Sequence, residues 1–317
     1  MGDLERIKNN MAHTRMYWLH ALTPLHVGTG FGLGFIDLPI MREKTTKWPL
    51  VPGSAVKGVM ADHYKATDEA RKPGTHLAAA FGRGGEENAN SGSLVFADAR
   101  TVCLAVPSLR GTFAWVTSPM VLRRLRRDME AAGAAPIPPE VAVAGDEGVA
   151  IPAPGNPPVS SALKTTGERN AIKVYLGELD LTAQENAAAG EWARTVAKAV
   201  FPEPGDAAWQ TEFVKRFAVV SDDTFGFLCE TGTEVSARVH IDGEKKTVQK
   251  GQLWYEESLP AESVLAGLVW CDKVYGLAGV NEEALLQEYC APLTLQMGGK
   301  ATTGKGRVRF VTAGGGK

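Results

Sequence analysis

The chain has 317 residues, 44% of them hydrophobic, enough for a packed core in one large domain or two modest ones. Its 34 Lys and Arg against 36 Asp and Glu leave a formal net charge of -2, which excludes whole-molecule attraction to nucleic acid or an acidic membrane, so any polyanion site must be local. Cys103, Cys229, Cys271 and Cys290 form no CxxC pair, which fits buried or free thiols in a reducing cytoplasm better than a disulfide framework or a zinc site. Met1 to Arg15 is polar, so no secretory signal is expected, and no apolar run approaches the roughly 18 residues of a membrane span.

In chain order, Met16 to Val27 reads as a strand, with Pro24 marking an edge or bulge near its end. It runs into a loop with glycine at every second position from Gly28 to Gly34, where backbone can come close to a ligand. Asp37 then stands alone among Phe35, Ile36, Leu38 and Pro39, either as a turn-former or as a working carboxylate. Pro49 and Pro52 block helix before Gly53, and Ser54 is the expected N-cap of a helix over Ala55 to Lys65. That places Lys57 in the first turn, where the helix dipole favours an anion. Ser118 and Pro119 start a second helix that stops at Gly133 and carries Arg123, Arg124, Arg126 and Arg127, read as a salt-bridged face or as a contact for RNA.

Ala131 to Ser160 holds seven prolines, and 131–173 as a whole is expected to be an irregular insertion. Thr182 and Glu185 read as a capping box for a helix to about Val200, Asp206 starts another through Phe217, and Ser221 caps a short one. Glu234 to Ile241 alternates apolar and polar residues, turns at Asp242-Gly243 and returns through Thr247 to Tyr255. This hairpin, 234–255, has Lys245 and Lys246 near its tip and is either a pair of ordinary sheet strands or an arm reaching from the body. A strand in ESVLAGLVWC, a helix in NEEALLQEYC and a strand in APLTLQM lead into a last glycine-rich loop. The pattern predicts an α+β chain, 1–317 as one domain, with a ferredoxin-like sheet closed by the two chain ends.

Neither glycine loop is a nucleotide fingerprint. In the first, Leu33 or Phe35 stands where G-x-G-x-x-G needs glycine; in the second, Gly306 stands where a P-loop needs Ser or Thr, with eleven residues left for the helix and sheet. What the second loop offers is charge: Lys300, Lys305, Arg307, Arg309 and Lys317, with no acid after Glu288. Ammonium heads and open backbone N–H groups of this kind cradle phosphates. Asp37 is the candidate to bind a divalent ion or activate a hydroxyl. His26 could assist if the glycines fold the loop back, or it is structural. No close carboxylate pair suggests a two-metal site.

At these residues the chain resembles the backbone subunits of the Cmr effector, the type III-B CRISPR ribonucleoprotein, in the RAMP superfamily. The resemblance rests on TPLHVGTGFGLGFIDLPIMRE, VPGSAVKG, SDDTFGF, the hairpin TEVSARVHIDGEKKTVQKGQLWYEESLP and the terminal GGKATTGKGRV. It implies a palm with an RRM-like sheet and a thumb-like hairpin, repeated along a guide RNA (crRNA) with other Cmr subunits, in the cytoplasm and without a membrane. It further implies an endoribonuclease that cuts paired target RNA once per subunit, with Asp37 as the cutting carboxylate, a Mg2+ or Mn2+ ligand or general base, and His26 as assistant. Guide contacts are implied at Ser54, Lys57, Gly299, Lys300, Thr302, Thr303, Lys305 and Arg307. The hairpin is expected to wedge into the guide–target duplex. A non-catalytic guide-binding subunit and a guide-precursor endonuclease are the alternatives.

Overall fold

The computed structural model describes residues 13–30, 36–85, 89–155, 158–241 and 248–313. The strands among the described residues are β1 (Thr14–Ala21), β2 (Leu50–Val51), β3 (Val95–Phe96), β4 (Ala99–Pro107), β5 (Phe113–Thr117), β6 (Gly148–Pro152), β7 (Thr165–Thr166), β8 (Ile172–Leu176), β9 (Leu179–Asn186), β10 (Phe217–Val220), β11 (Glu234–Ile241), β12 (Val248–Ser258), β13 (Val264–Trp270), β14 (Leu293–Gln296) and β15 (Arg307–Ala313). The α-helices among the described residues are α1 (Gly53–His63), α2 (His76–Phe81), α3 (Pro119–Ala131), α4 (Ala187–Val200), α5 (Ala207–Arg216), α6 (Asp222–Thr231) and α7 (Glu282–Tyr289).

The centre of the molecule is the antiparallel run β15-β1-β13-β4. With α1 between β1 and β4, and α7 between β13 and β15, it has the fourth-first-third-second order of a ferredoxin-like sheet. The first and last described strands are neighbours, so the chain ends close the sheet. β1 is buried at every position after Thr14 because both of its faces are covered. Tyr17 and Leu19 pack with Val56 and Met60 of α1 and Leu286 of α7, while Met16 and Trp18 pack with Leu122 of α3 and Trp192 of α4. Beyond β4 the sheet continues through β5, β10, β6, β9 and β8. β11 and β12 stand apart as their own two-stranded ribbon.

Several local expectations need correction. β1 ends at Ala21, short of Val27, because the chain turns before Pro24. Thr182 and Glu185 cap nothing. They lie in β9, whose Leu181 and Ala183 are buried in alternation with exposed Thr182 and Gln184, and the N-cap of α4 is Asn186, whose Oδ1 accepts from the Ala189 N–H at 3.0 Å. Segment 131–173 is irregular in part: 132–147 and the described residues between 153 and 164 carry no helix or strand, but the segment also holds β6, β7 and the start of β8. Gly148–Pro152 then forms β6, buried throughout, between β10 and β9. Alanine, valine and isoleucine between prolines fit an interior strand as well as a loop, and the neighbours that settle which are remote in sequence. The Ser118 and Ser221 caps form as expected, each hydroxyl accepting from the N–H three residues on.

Candidate functional site

The site is organised by the last residues of β12, where two adjacent glutamates, Glu256 and Glu257, are both buried. Successive side chains of a strand point to opposite faces. Each glutamate therefore serves a different glycine-rich segment.

On one side lies the segment that carries Asp37. Leu38 pairs with the edge of β12: its N–H donates to the Tyr255 carbonyl at 3.1 Å and its carbonyl accepts from the Glu257 N–H at 3.0 Å. Asp37 is exposed, and its Oδ2 accepts from the Tyr255 N–H at 2.7 Å. Among the described residues Oδ1 has no partner, so one carboxylate oxygen fixes the group and the other is available. The Glu257 carboxylate braces the same segment, accepting from the Ile40 N–H at 3.0 Å, from Arg42 Nη2 at 2.5 Å and from the Thr233 hydroxyl at 2.9 Å. Arg42 in turn donates to the carbonyls of Lys47 and Cys229.

His26 is buried, with Nδ1 2.6 Å from the Glu257 carbonyl. It and Asp37 are thus anchored two residues apart on one strand, about 7 Å along its axis. A Cβ on Gly28 would come within 2.9 Å of His26 Nε2, and one on Gly298 within 2.2 Å of the His26 carbonyl. The glycines at these two places are required by the approach of His26.

The other glutamate organises the C-terminal loop. Glu256 receives Lys300 Nζ at 2.7 Å and the Trp254 indole N–H at 2.7 Å on Oε1, with Arg238 Nε at 3.5 Å and Lys305 Nζ at 3.9 Å from Oε2. Burial works to raise the Glu256 pKa, but the hydrogen bonds from Lys300 and Trp254 and the charges of Lys300 and Lys305 outweigh it and hold it at about 2. Lys305 is buried and donates to the Ser258 hydroxyl at 2.8 Å. Burial pushes its pKa down, opposed by Glu256. The basic loop is therefore partly neutralised from within.

Gly299 gives its N–H to the His26 carbonyl at 2.9 Å, which occupies it as a phosphate donor. Thr302, Thr303 and Arg307 are exposed, and the Thr303 hydroxyl donates to the Lys300 carbonyl at 2.9 Å. Glu256 and Glu257 were not picked out from sequence. The signal available was the pair of acids closing a hairpin strand otherwise written as alternating apolar and polar residues.

Lys57 stands apart from both loops. α1 starts at Gly53 after an N-cap at Pro52, which has no side chain to offer, and the Gly53 N–H is held at 2.8 Å by Asp98. Ser54 is thus an exposed residue of the first turn and not the cap, and Lys57 is the fifth helical residue. Lys57 is half-buried beside Gly92, where a Cβ would lie 2.6 Å from its Nζ. Burial alone lowers its pKa, and it has no acidic partner among the described residues.

The arginines of α3 make internal contacts: Arg123 pairs with Glu140, Arg124 with Glu43 at 2.9 Å and Arg127 with Asp128, and Arg126 donates to the Pro138 carbonyl. Lys245 and Lys246 lie outside the described residues. No cluster of three or more His, Cys, Asp or Glu able to hold a metal occurs among the described residues. Asp37 alone suits a hard cation such as Mg2+ only if RNA phosphate oxygens and water complete its shell.

The RAMP superfamily profile matches residues 18–309. Over 296 residues, covering 92% of each protein, the chain is 33% identical to the CRISPR system Cmr endoribonuclease Cmr4 of Pyrococcus furiosus. The crystal structure of oligomeric Cmr4 from the same organism superposes with a TM-score of 0.68 at 26% identity, covering 95% of this chain and 98% of that one. A chain of the type III-B Cmr-beta complex bound to cognate target RNA shares the fold, with a TM-score of 0.65 at 18% identity over 94% and 96% of the two chains. The chain belongs to the RAMP superfamily, and within it resembles the backbone subunit of the type III-B Cmr effector. No helix among the described residues is long and apolar enough to cross a membrane.

Proposed function

We propose that this chain is a repeated backbone subunit of a cytoplasmic type III-B CRISPR ribonucleoprotein, which binds guide RNA, assembles with further copies and other subunits, and cuts paired target RNA at regular intervals. The relationship to an endoribonuclease supports the class of activity. The observation that carries the site is Asp37: an exposed carboxylate with one oxygen fixed by the Tyr255 N–H at the base of a free-standing ribbon. Lys57 supplies a half-buried cation with no acidic partner among the described residues, which favours a phosphate beside it. Lys300, Lys305 and Arg307 add a second cationic edge, weakened by Glu256.

RNA carries its own nucleophile, so one carboxylate is sufficient protein chemistry. With a nucleotide splayed out of the duplex, Asp37 accepts the 2'-hydroxyl proton as the 2'-oxygen bonds to phosphorus. The bond from phosphorus to the 5'-oxygen breaks, that oxygen takes a proton from water, and the products are a 2',3'-cyclic phosphate and a 5'-hydroxyl. His26, pinned through Nδ1, holds the glycine loop in place and is at most an assistant. Mg2+ or Mn2+, held by Asp37 together with the RNA, would shield phosphate charge. The ribbon β11-β12 is the element that would splay the target.

The hydrogen bond from Tyr255 also favours a second reading, in which Asp37 only shapes the loop of a non-catalytic subunit. Asp37→Asn separates the two, because the amide oxygen still accepts from the Tyr255 N–H while the base is lost. In the assembled particle this variant is expected to slow target cutting by about 10² to 10⁴ with guide retention unchanged. Cutting at the wild-type rate would leave the structural reading. Mapping the same cuts with Mg2+, with Mn2+ and in chelator tests the metal.

A further inference from the structure

Away from Asp37, a groove of about 660 Å³ opens at the foot of the ribbon, between the β4–β5 turn, the β8–β9 turn, the end of α6 and the β12–β13 turn. Its floor is apolar, with Val106, Phe113, Leu228 and Pro260, and Phe227 stands at its rim 49% exposed. The charged residues that line it are all acids, Glu178, Glu234 and Glu262, with no Lys or Arg. Glu262 is partnered by His20 at 2.7 Å, whereas Glu178 has no ion-pair partner among the described residues. Burial raises the Glu234 pKa, opposed by the charge of Lys305, so a further cation beside it would stabilise its charged form.

Phe227 exposed over this apolar floor is the kind of apolar patch that marks a protein-binding face. The three carboxylates repel a phosphate backbone, which removes RNA as the occupant.

We infer that this groove docks another protein of the particle through a segment that places an aliphatic or aromatic side chain between Lys or Arg residues. The inference rests on the proposal that the chain works within a multi-protein particle.

The test uses that particle, with the photo-crosslinking residue p-benzoylphenylalanine placed at 227. A crosslink to one different protein of the particle, at an apolar residue flanked by Lys or Arg, is the expected product. In parallel, the double charge reversal Glu178→Lys with Glu234→Lys is expected to lower the occupancy of that protein by about tenfold or more, with guide RNA and copies of this chain retained. Crosslinking to RNA or to a second copy, no crosslink, or unchanged occupancy after charge reversal would each overturn the inference. If the wild-type chain forms no multi-protein particle, the proposed function fails with it. A particle that forms with residue 227 touching nothing overturns the groove alone.

Discussion

The two glycine-rich segments are held by neighbouring glutamates of one strand, and by opposite means. Glu257 braces the N-terminal segment through backbone and arginine contacts at Ile40 and Arg42 and leaves the Asp37 carboxylate in the open. Glu256 holds the C-terminal loop by the very charges that made it look like a phosphate cradle, Lys300 and Lys305. A count of basic residues in a loop therefore overstates its pull on a polyanion when a buried acid lies beneath it. Lys57, half-buried and without an acidic partner among the described residues, is not offset in this way.

The comparison is broken most severely at Glu257. Glu257→Ala leaves Arg42 in a partly buried site without its carboxylate and frees Ile40, and a loss of about 3 to 5 kcal/mol is expected in denaturant unfolding. Adding Arg42→Met should recover part of it, because the orphaned charge is then gone. An undiminished loss in the double variant would mean that Glu257 acts through its packing.

Glu256→Gln sharpens the contrast in the other direction. With the acid neutralised, Lys300 and Lys305 become available to phosphate, and the salt slope of single-strand RNA binding is expected to steepen by up to about 1.4, or 0.7 for each lysine released. The same variant should flatten the acid limb of stability. A carboxyl whose folded pKa lies at about 2, below its usual 4.5, adds stability above pH 4.5 that is lost as pH falls toward 2. The difference between wild type and Glu256→Gln should vanish over that window, and a difference independent of pH would show that the charge is not responsible.

The smallest effect is expected at Lys57. Lys57→Ala should reduce the salt slope by about 0.7, equally for unrelated RNA sequences, and a change in sequence preference would contradict a phosphate contact. Because burial lowers its pKa, its share of binding should fade as pH rises through values below the usual 10.5. Lys57→Arg should keep that share at the same pH, since a guanidinium stays charged.

Much of this molecule was legible in its sequence because the signals were local. The continuous apolar run of β1, the hydroxyl caps at Ser118 and Ser221, and the alternation of β11 each state their element within a few residues. The ferredoxin-like order followed from strands and helices repeated at both chain ends. The errors came where a competing local signal was valid chemistry in the wrong context. Ser54 has a capping side chain, but the first N–H of the helix, that of Gly53, is held by Asp98, 45 residues further along the chain. Thr182 and Glu185 have capping-box spacing, yet they line a strand whose partners β6 and β8 decide the matter.

The site divides along the same line. Asp37, His26 and Lys57 could be singled out as residue types in unusual local company, and that much the sequence determined. Which of them is exposed, which is pinned and which is half-buried was decided only by the tertiary structure. Tyr255 and Glu257 reach Asp37 and His26 across 218 and 231 residues, and Glu256 lies 44 and 49 residues before the lysines it neutralises. Hydrogen bonds and Coulomb forces act over a few ångströms of space, and spacing along a chain does not measure that distance until the backbone has folded.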